Sequence, residues 1–300
     1  MSPPLRSPFV AAALVLFQGA APVGAQLQVS RGTFAPRPDS AERGRLQGLV
    51  EVQRAPGAGE SDLGWEYRIV LFVPLVHPTR HTELVAQLGQ EMWATPERRL
   101  SFDPRAAIWE ERLALARTGR SGWRWEGGLF WRCRHELDAY DRPDSASGAP
   151  TKRVVTLAGF DGGVTSPEWR PWRGATHVRL QLTAQSFVTT DDSRVPKNVR
   201  VPRWSDARGS WTLTLHGATR GPARSEPYVR AWHAMVLFRE PQREWRAAQR
   251  LEGGVRLGGA TRPVDLLVAI ERTFDDLMRP APHASRALLL GVRLASHARL

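Results

Sequence analysis

The feature that most restricts this chain is the alternation of apolar and polar residues, kept up over stretches of nine or more residues and repeated about twelve times. Between Trp123 and His135, the residues Trp125, Leu129, Trp131 and Cys133 fall on one side while Arg124, Glu126, Arg132 and Arg134 fall on the other. Val178, Leu180 and Leu182 alternate with Arg179, Gln181 and Thr183, and Trp211, Leu213 and Leu215 oppose Thr212, Thr214 and His216. A period of two is that of an extended strand with two unlike faces. Two stretches, Glu83 to Trp93 and Glu244 to Leu257, also admit an amphipathic helix, with Leu84, Val85, Leu88 and Met92 forming a helical stripe in the first. Gly253-Gly254 would break a helix in the second. Both are read as strands.

The pattern predicts an all-β chain with strands at 44–54, 64–76, 81–93, 105–118, 122–136, 152–160, 175–188, 208–219, 227–239, 244–258, 262–274 and 286–297. These run 9 to 15 residues, longer than the usual five or six of a globular sheet and close to what a tilted membrane strand needs. Connections after odd strands are mostly long and polar, as at 55–63, 94–104, 137–151, 189–207 and 275–285. Those after even strands are mostly short, as at 77–80, 119–121 and 259–261. The stretch 160–174 is too long and 240–243 too short for this rule, and Asp161-Gly162-Gly163 reads as turn chemistry.

The N-terminus reads as a targeting segment. Arg6 precedes an apolar run from Phe9 to Phe17, and Val23 and Ala25 then occupy the positions of a cleavage site, so residues 1–25 are expected to be a signal peptide. Residues 26–43 are expected to be a periplasmic N-terminal segment and 44–300 the folded unit. The Phe9 to Phe17 run is too short to cross a bilayer as a helix, which needs roughly 20 residues, so any membrane role falls to strands. The single cysteine, Cys133, excludes an intramolecular disulfide.

On these strands and connections the chain resembles bacterial outer-membrane β-barrel proteins as a class, over essentially all of the mature sequence. Val264 to Leu294 looks like the last hairpin of such a barrel. The resemblance implies an antiparallel up-and-down transmembrane barrel of about twelve strands, with short periplasmic turns and longer external loops. Trp65, Trp93, Trp109, Trp123, Trp204, Trp211, Trp232 and Trp245, at or near strand ends, would then supply interfacial girdles. The rival architecture is a soluble β-sandwich, in one or two tandem domains divided near 141–151, with tryptophan as core; Val70-Leu71-Phe72 and Val236-Leu237-Phe238 echo each other faintly. The two differ in whether the apolar faces point outward or inward.

In a barrel the polar faces point to the lumen. The residues expected there are Glu83, Glu91, Glu110, Arg112, Arg124, Glu126, Arg132, Arg134, Arg179, Arg246, Arg250, Glu252, Arg256, Asp265 and Glu271. Mixed signs point to ion-paired networks in a narrow interior, while an excess of arginine would favour anions if a pore were open. The net charge is +12, and Lys152 and Lys197 are the only lysines.

The stretch Cys133-Arg134-His135-Glu136-Leu137-Asp138 faintly resembles an H-x-S-x-H-x-x-D pattern of a family of uncharacterised bacterial barrels. His135 and Asp138 match its later positions, whereas Trp131 and Cys133 stand where that pattern has His and Ser. Cys133 and His135 could form a nucleophile and base on one strand face. Outer-membrane phospholipases set His and Ser at a similar separation, but their surrounding motif is absent. His77 and His81 would suit a metal only on a helix, so no metal and no cofactor are expected.

The function expected is that of an integral outer-membrane barrel, structural or a narrow channel for small anionic solutes. The alternatives are a soluble periplasmic glycan or polyanion binder and an outer-membrane lipid hydrolase. Outer-membrane lipid and lipopolysaccharide are the expected partners. Nucleic acid is not, because the arginine is spread along strands and not clustered.

Overall fold

The computed structural model describes residues 45–54, 65–96, 102–136, 154–171, 176–193, 204–219, 225–239, 243–258, 263–273 and 285–299. The expected signal peptide, the 26–43 segment, Asp138 and most of the long connections lie outside them.

The chain forms β1 (Arg45–Arg54), β2 (Trp65–Thr79), β3 (Thr82–Pro96), β4 (Phe102–Thr118), β5 (Arg124–Glu136) and β6 (Val154–Thr165), then β7 (Thr176–Ser193), β8 (Ala207–Thr219), β9 (Glu226–Phe238), β10 (Glu244–Leu257), β11 (Val264–Thr273) and β12 (Ser285–Arg299). Each strand pairs antiparallel with its sequence neighbours, and β1 pairs with β12 from Arg45↔Arg299 to Arg54↔Leu290, closing one barrel of twelve strands. Both halves of the chain contribute to this single barrel, so the tandem-domain architecture does not occur. The two stretches that admitted helices are β3 and β10.

β6 corrects one expectation. Asp161-Gly162-Gly163 is not a turn but lies inside the strand, opposite Gly128, Gly127 and Glu126 of β5. Glycine and aspartate are poor strand formers, but here both edges of the segment are laddered and Asp161 forms an ion pair with Arg112 of β4. With β6 running to Thr165, the over-long connection shrinks, and Trp169 is bridged back onto Val178. The turn after β4 is tight: Gly122 N–H donates to Gly119 O at 3.1 Å, and Gly122 sits at φ +83°, open to glycine without strain.

The faces sort cleanly. Leu71, Leu88, Trp109, Leu113, Leu115, Trp125, Leu129, Trp131, Phe160, Leu182, Trp245, Leu266, Val268, Ile270, Leu290 and Val292 point outward and are exposed. The intervening residues point inward, and among them Glu51, Arg68, Glu91, Glu110, Arg132, Arg250, Glu252, Asp265 and Glu271 are buried. This is the reverse of a soluble sandwich, whose apolar faces meet in a core.

Gly159 sits at the one irregularity between β6 and β7, where the register shifts between Ala158 and Gly159. A Cβ there would overlap the Ser186 carbonyl oxygen. Gly159→Val is therefore expected to abolish the heat-modifiable gel migration that marks a closed barrel. Gly253→Val leaves it intact, because nothing lies within 4 Å of where the added Cβ would stand.

Candidate functional site

Among the described residues the interior of the barrel carries two charged networks, a large apolar cluster and two smaller ones, Leu49, Val70, Phe72 and Val85, and Leu267, Ala269 and Leu289. The first network spans β9, β10, β11, β12 and β1. Arg293 is its hub: Nη1 donates to Glu252 Oε1 at 2.8 Å and to Asp265 Oδ2 at 3.3 Å, Nη2 donates to Glu252 Oε2 at 3.0 Å, and Nε pairs with Glu51. Arg250 adds bonds to Glu252 at 2.7 Å, to Glu271 at 3.2 Å and to Gln53 at 3.1 Å. Arg256 forms a fork with Asp265 at 2.9 and 3.3 Å, and the Tyr228 hydroxyl donates to Glu252 at 3.0 Å. Gly254 makes room for the Tyr228 ring, which a Cβ at that position would meet at 2.7 Å.

The second network lies on β3 to β6. Arg112 bridges Glu126, at 3.2 Å, and Asp161; Arg124 pairs with Glu83; Arg132 donates to Glu110 at 2.8 Å, which also accepts from Gln87 Nε2 at 3.0 Å. Charge-assisted bonds of this kind repay part of the cost of burying ions, and removing one partner leaves the other uncompensated. Among the buried described residues, seven arginines face nine carboxylates. This buried set thus carries no excess of arginine.

The large apolar cluster lies toward the end of the barrel where odd strands finish. Phe130, Val155, Leu157, Phe187, Trp232, Ala234, Val236, Phe238 and Ala248 point inward there and surround Trp204. Trp204 belongs to a short 3-10 turn, Trp204–Asp206, that precedes β8. Its ring meets Phe238 edge-on at 5.6 Å, its backbone N–H donates to Asp192 Oδ2 at 3.0 Å, Thr190 Oγ1 donates to Ser205 O at 2.7 Å, and the Arg239 backbone N–H donates to Asp206 O at 3.0 Å. Trp204 and Trp232 were expected in an interfacial girdle; at 2% and 6% exposure they are interior residues instead. Trp204 precedes β8 and Trp232 stands at the middle of β9, so both the position along the strand and the direction of the side chain depart from a girdle. Trp109 and Trp245 are exposed on the outer wall, and Trp65, Trp123 and Trp211 are half-buried. The Trp93 side chain lies outside the described residues.

Of the residues read from sequence as lumen-facing, Glu83, Glu91, Glu110, Arg112, Arg132, Arg134, Arg250, Glu252, Asp265 and Glu271 are buried, and Arg124, Glu126, Arg179, Arg246 and Arg256 are half-buried. The two networks gather most of them. Arg179 stands apart, paired with Glu168 of the β6–β7 connection at 2.7 Å, and Arg246 pairs with Glu244 at 2.9 Å near the start of β10. Glu51, Arg68, Asp161, Arg230 and Arg293 join the interior without having been expected there. Glu51, Arg68 and Arg293 each carried the signal, a single charge between two apolar neighbours in an alternating strand.

Cys133 and His135 lie on the outward face of β5 near the same end. The thiol is buried beneath its neighbours, with His135 Nε2 at 2.5 Å and Thr156 Oγ1 at 3.8 Å. No carboxylate of a described residue orients the imidazole. His77 lies in β2, two residues before its end, and His81 occupies the β2–β3 turn, where Arg80 Nε donates to its Nε2 at 3.0 Å. Among the described residues no three His, Cys, Asp or Glu side chains gather in a metal-binding group.

A closed antiparallel barrel that is apolar outside, charged inside and without a free strand edge is the one β architecture able to cross a hydrocarbon layer, because every strand amide is paired within the wall. The wall is that of a transmembrane β-barrel. The chain matches no protein-family model and no curated protein. Solved structures it is similar to include the outer membrane phospholipase A from Escherichia coli, at 13% identity over 85% of this chain and 93% of that one with a TM-score of 0.47. An outer membrane channel from Pseudomonas putida F1 aligns at 11% identity over 87% of this chain and 100% of that one, also at 0.47. LpxR from Salmonella typhimurium aligns at 8% identity over 83% and 99%, at 0.45.

Proposed function

We propose that the protein is a structural outer-membrane barrel whose interior is braced by ion pairs and stoppered at the loop end by the Trp204 turn. The observation that supports this reading most is the seating of Trp204 among inward-facing apolar side chains from six strands, β5 to β10, just above charged networks with no surplus of arginine. An anion channel would need guanidinium groups without carboxylate partners along a continuous path. In planar bilayers the purified wild-type chain is expected to give no steady conductance. Persistent anion-selective steps from the wild type would overturn the proposal in favour of a narrow channel.

The contact of Cys133 Sγ with His135 Nε2 favours a second reading, a hydrolase acting on lipid at the outer wall. Under it, Cys133→Ala and His135→Ala each abolish ester hydrolysis by the folded barrel. Hydrolysis that survives both substitutions removes this reading.

A further inference from the structure

On the outer wall β2, β1, β12, β11 and β10 are consecutive neighbours, and Trp65, Arg54, Leu290, Val268 and Gly253 are successive cross-strand partners along one row. A parallel row, two residues away, is formed by Val52, Val292, Leu266 and Val255. Between them Gln53, Gly291, Leu267 and Gly254 belong to the inward face, so backbone alone floors the space between the two rows. The result is a groove of about 590 Å³, within the roughly 300–1,000 Å³ of sites that take small ligands.

The groove is inclined. Arg54 ends β1 and Trp65 begins β2 at the loop end, Leu290 and Val268 lie five residues from that end of their strands, and Gly253 lies nine residues into β10. It therefore descends from the barrel rim into the apolar belt, as a consequence of strand tilt. At its lower end Gly253 leaves the wall open, with nothing within 4 Å of where a Cβ would stand. At its upper end the exposed Arg54 guanidinium lies over the Trp65 ring, 5.3 Å from its centroid. No carboxylate of a described residue pairs with Arg54, unlike the arginines of the two interior networks.

We propose that this groove is a binding site for a phosphate-bearing lipid of the surrounding leaflet, the phosphate on Arg54 and one acyl chain running down to Gly253. A cation on an aromatic platform at the rim and an apolar trough leading away from it match the two ends of one amphiphile. The site rests on the outer-membrane barrel reading and deepens its expected contact with anionic lipid.

The full chain, folded in detergent, is exposed to diphosphorylated lipid A, to diacylglycerol and to inorganic phosphate, and retained adducts are counted by native mass spectrometry. Lipid A is expected to be retained, diacylglycerol more weakly, and phosphate not at all. Arg54→Gln lowers lipid A retention about tenfold, the worth of one hydrogen bond to a charged group. Gly253→Leu fills the trough and lowers it as well, with Val268→Trp as a second filling variant, while Leu129→Trp on a distant strand leaves it unchanged. Heat-modifiable migration establishes that each variant is folded. Equal retention by the wild type, Arg54→Gln and the two trough-filling variants overturns the site, as does equal retention of diacylglycerol or capture of phosphate alone. Recovery of the wild type from cells in the soluble fraction would instead overturn the barrel reading beneath it.

Discussion

Arg293→Met is expected to lower the unfolding free energy of the barrel by about 3–5 kcal/mol, the cost of breaking a buried ion pair from one side. Arg293 stands on β12 opposite Asp265 of β11 and Glu51 of β1, and it touches Glu51, Glu252 and Asp265 at once. Methionine keeps the stem and removes the charge, so Glu51 loses its closest cation while Arg250 reaches it only at 3.7 Å. Arg246→Met provides the contrast, because the Arg246–Glu244 pair is more than a quarter exposed on both sides and such pairs are worth about 0–1 kcal/mol. Urea titration of both variants folded in lipid vesicles separates the two outcomes. Equal, small losses would mean that the interior network is solvated and does not brace the wall.

Trp204→Ala, alone and combined with Phe238→Ala, is expected to open the loop end. Each ring is buried to 2% exposure or less and they meet edge-on, so truncation removes a large packed volume and costs about 3–5 kcal/mol per site in a core that cannot collapse. A β-barrel cannot collapse easily, since its radius is set by strand number and register. The cavity therefore persists, and conductance steps absent from the wild type are expected in planar bilayers for the double variant. A silent double variant that is fully folded would place the barrier to ions in the charged networks below, not in the plug.

The strands were legible because their signal is local. Each has the period of two that membrane, wall and interior impose together, and the twelve predicted segments match the observed ones apart from their ends and the run of β6 and β7 through 160–165 and 189–193. Asp161 escaped because composition argues for a turn there, while its ion pair with Arg112 joins residues 49 apart. Tryptophan was ambiguous in direction, and Trp109 and Trp232, expected near strand ends, stand at the middle of β4 and β9. Trp245 faces outward at 48% exposure and Trp232 inward at 6%, and no local pattern distinguishes a girdle from a plug.

By itself the amino-acid order determined the two faces of each strand and the number of strands, because side-chain parity in a strand is a nearest-neighbour property. Tertiary structure alone decided which charges meet, that the buried arginines are matched by carboxylates, that Trp204 folds back into the lumen, and that Arg54 lies in one row with Gly253. Those are relations between strands distant in sequence. Pairing of β1 with β12, the first and last strands of the chain, brings Glu51 to Arg293 and Arg54 into the row that ends at Gly253.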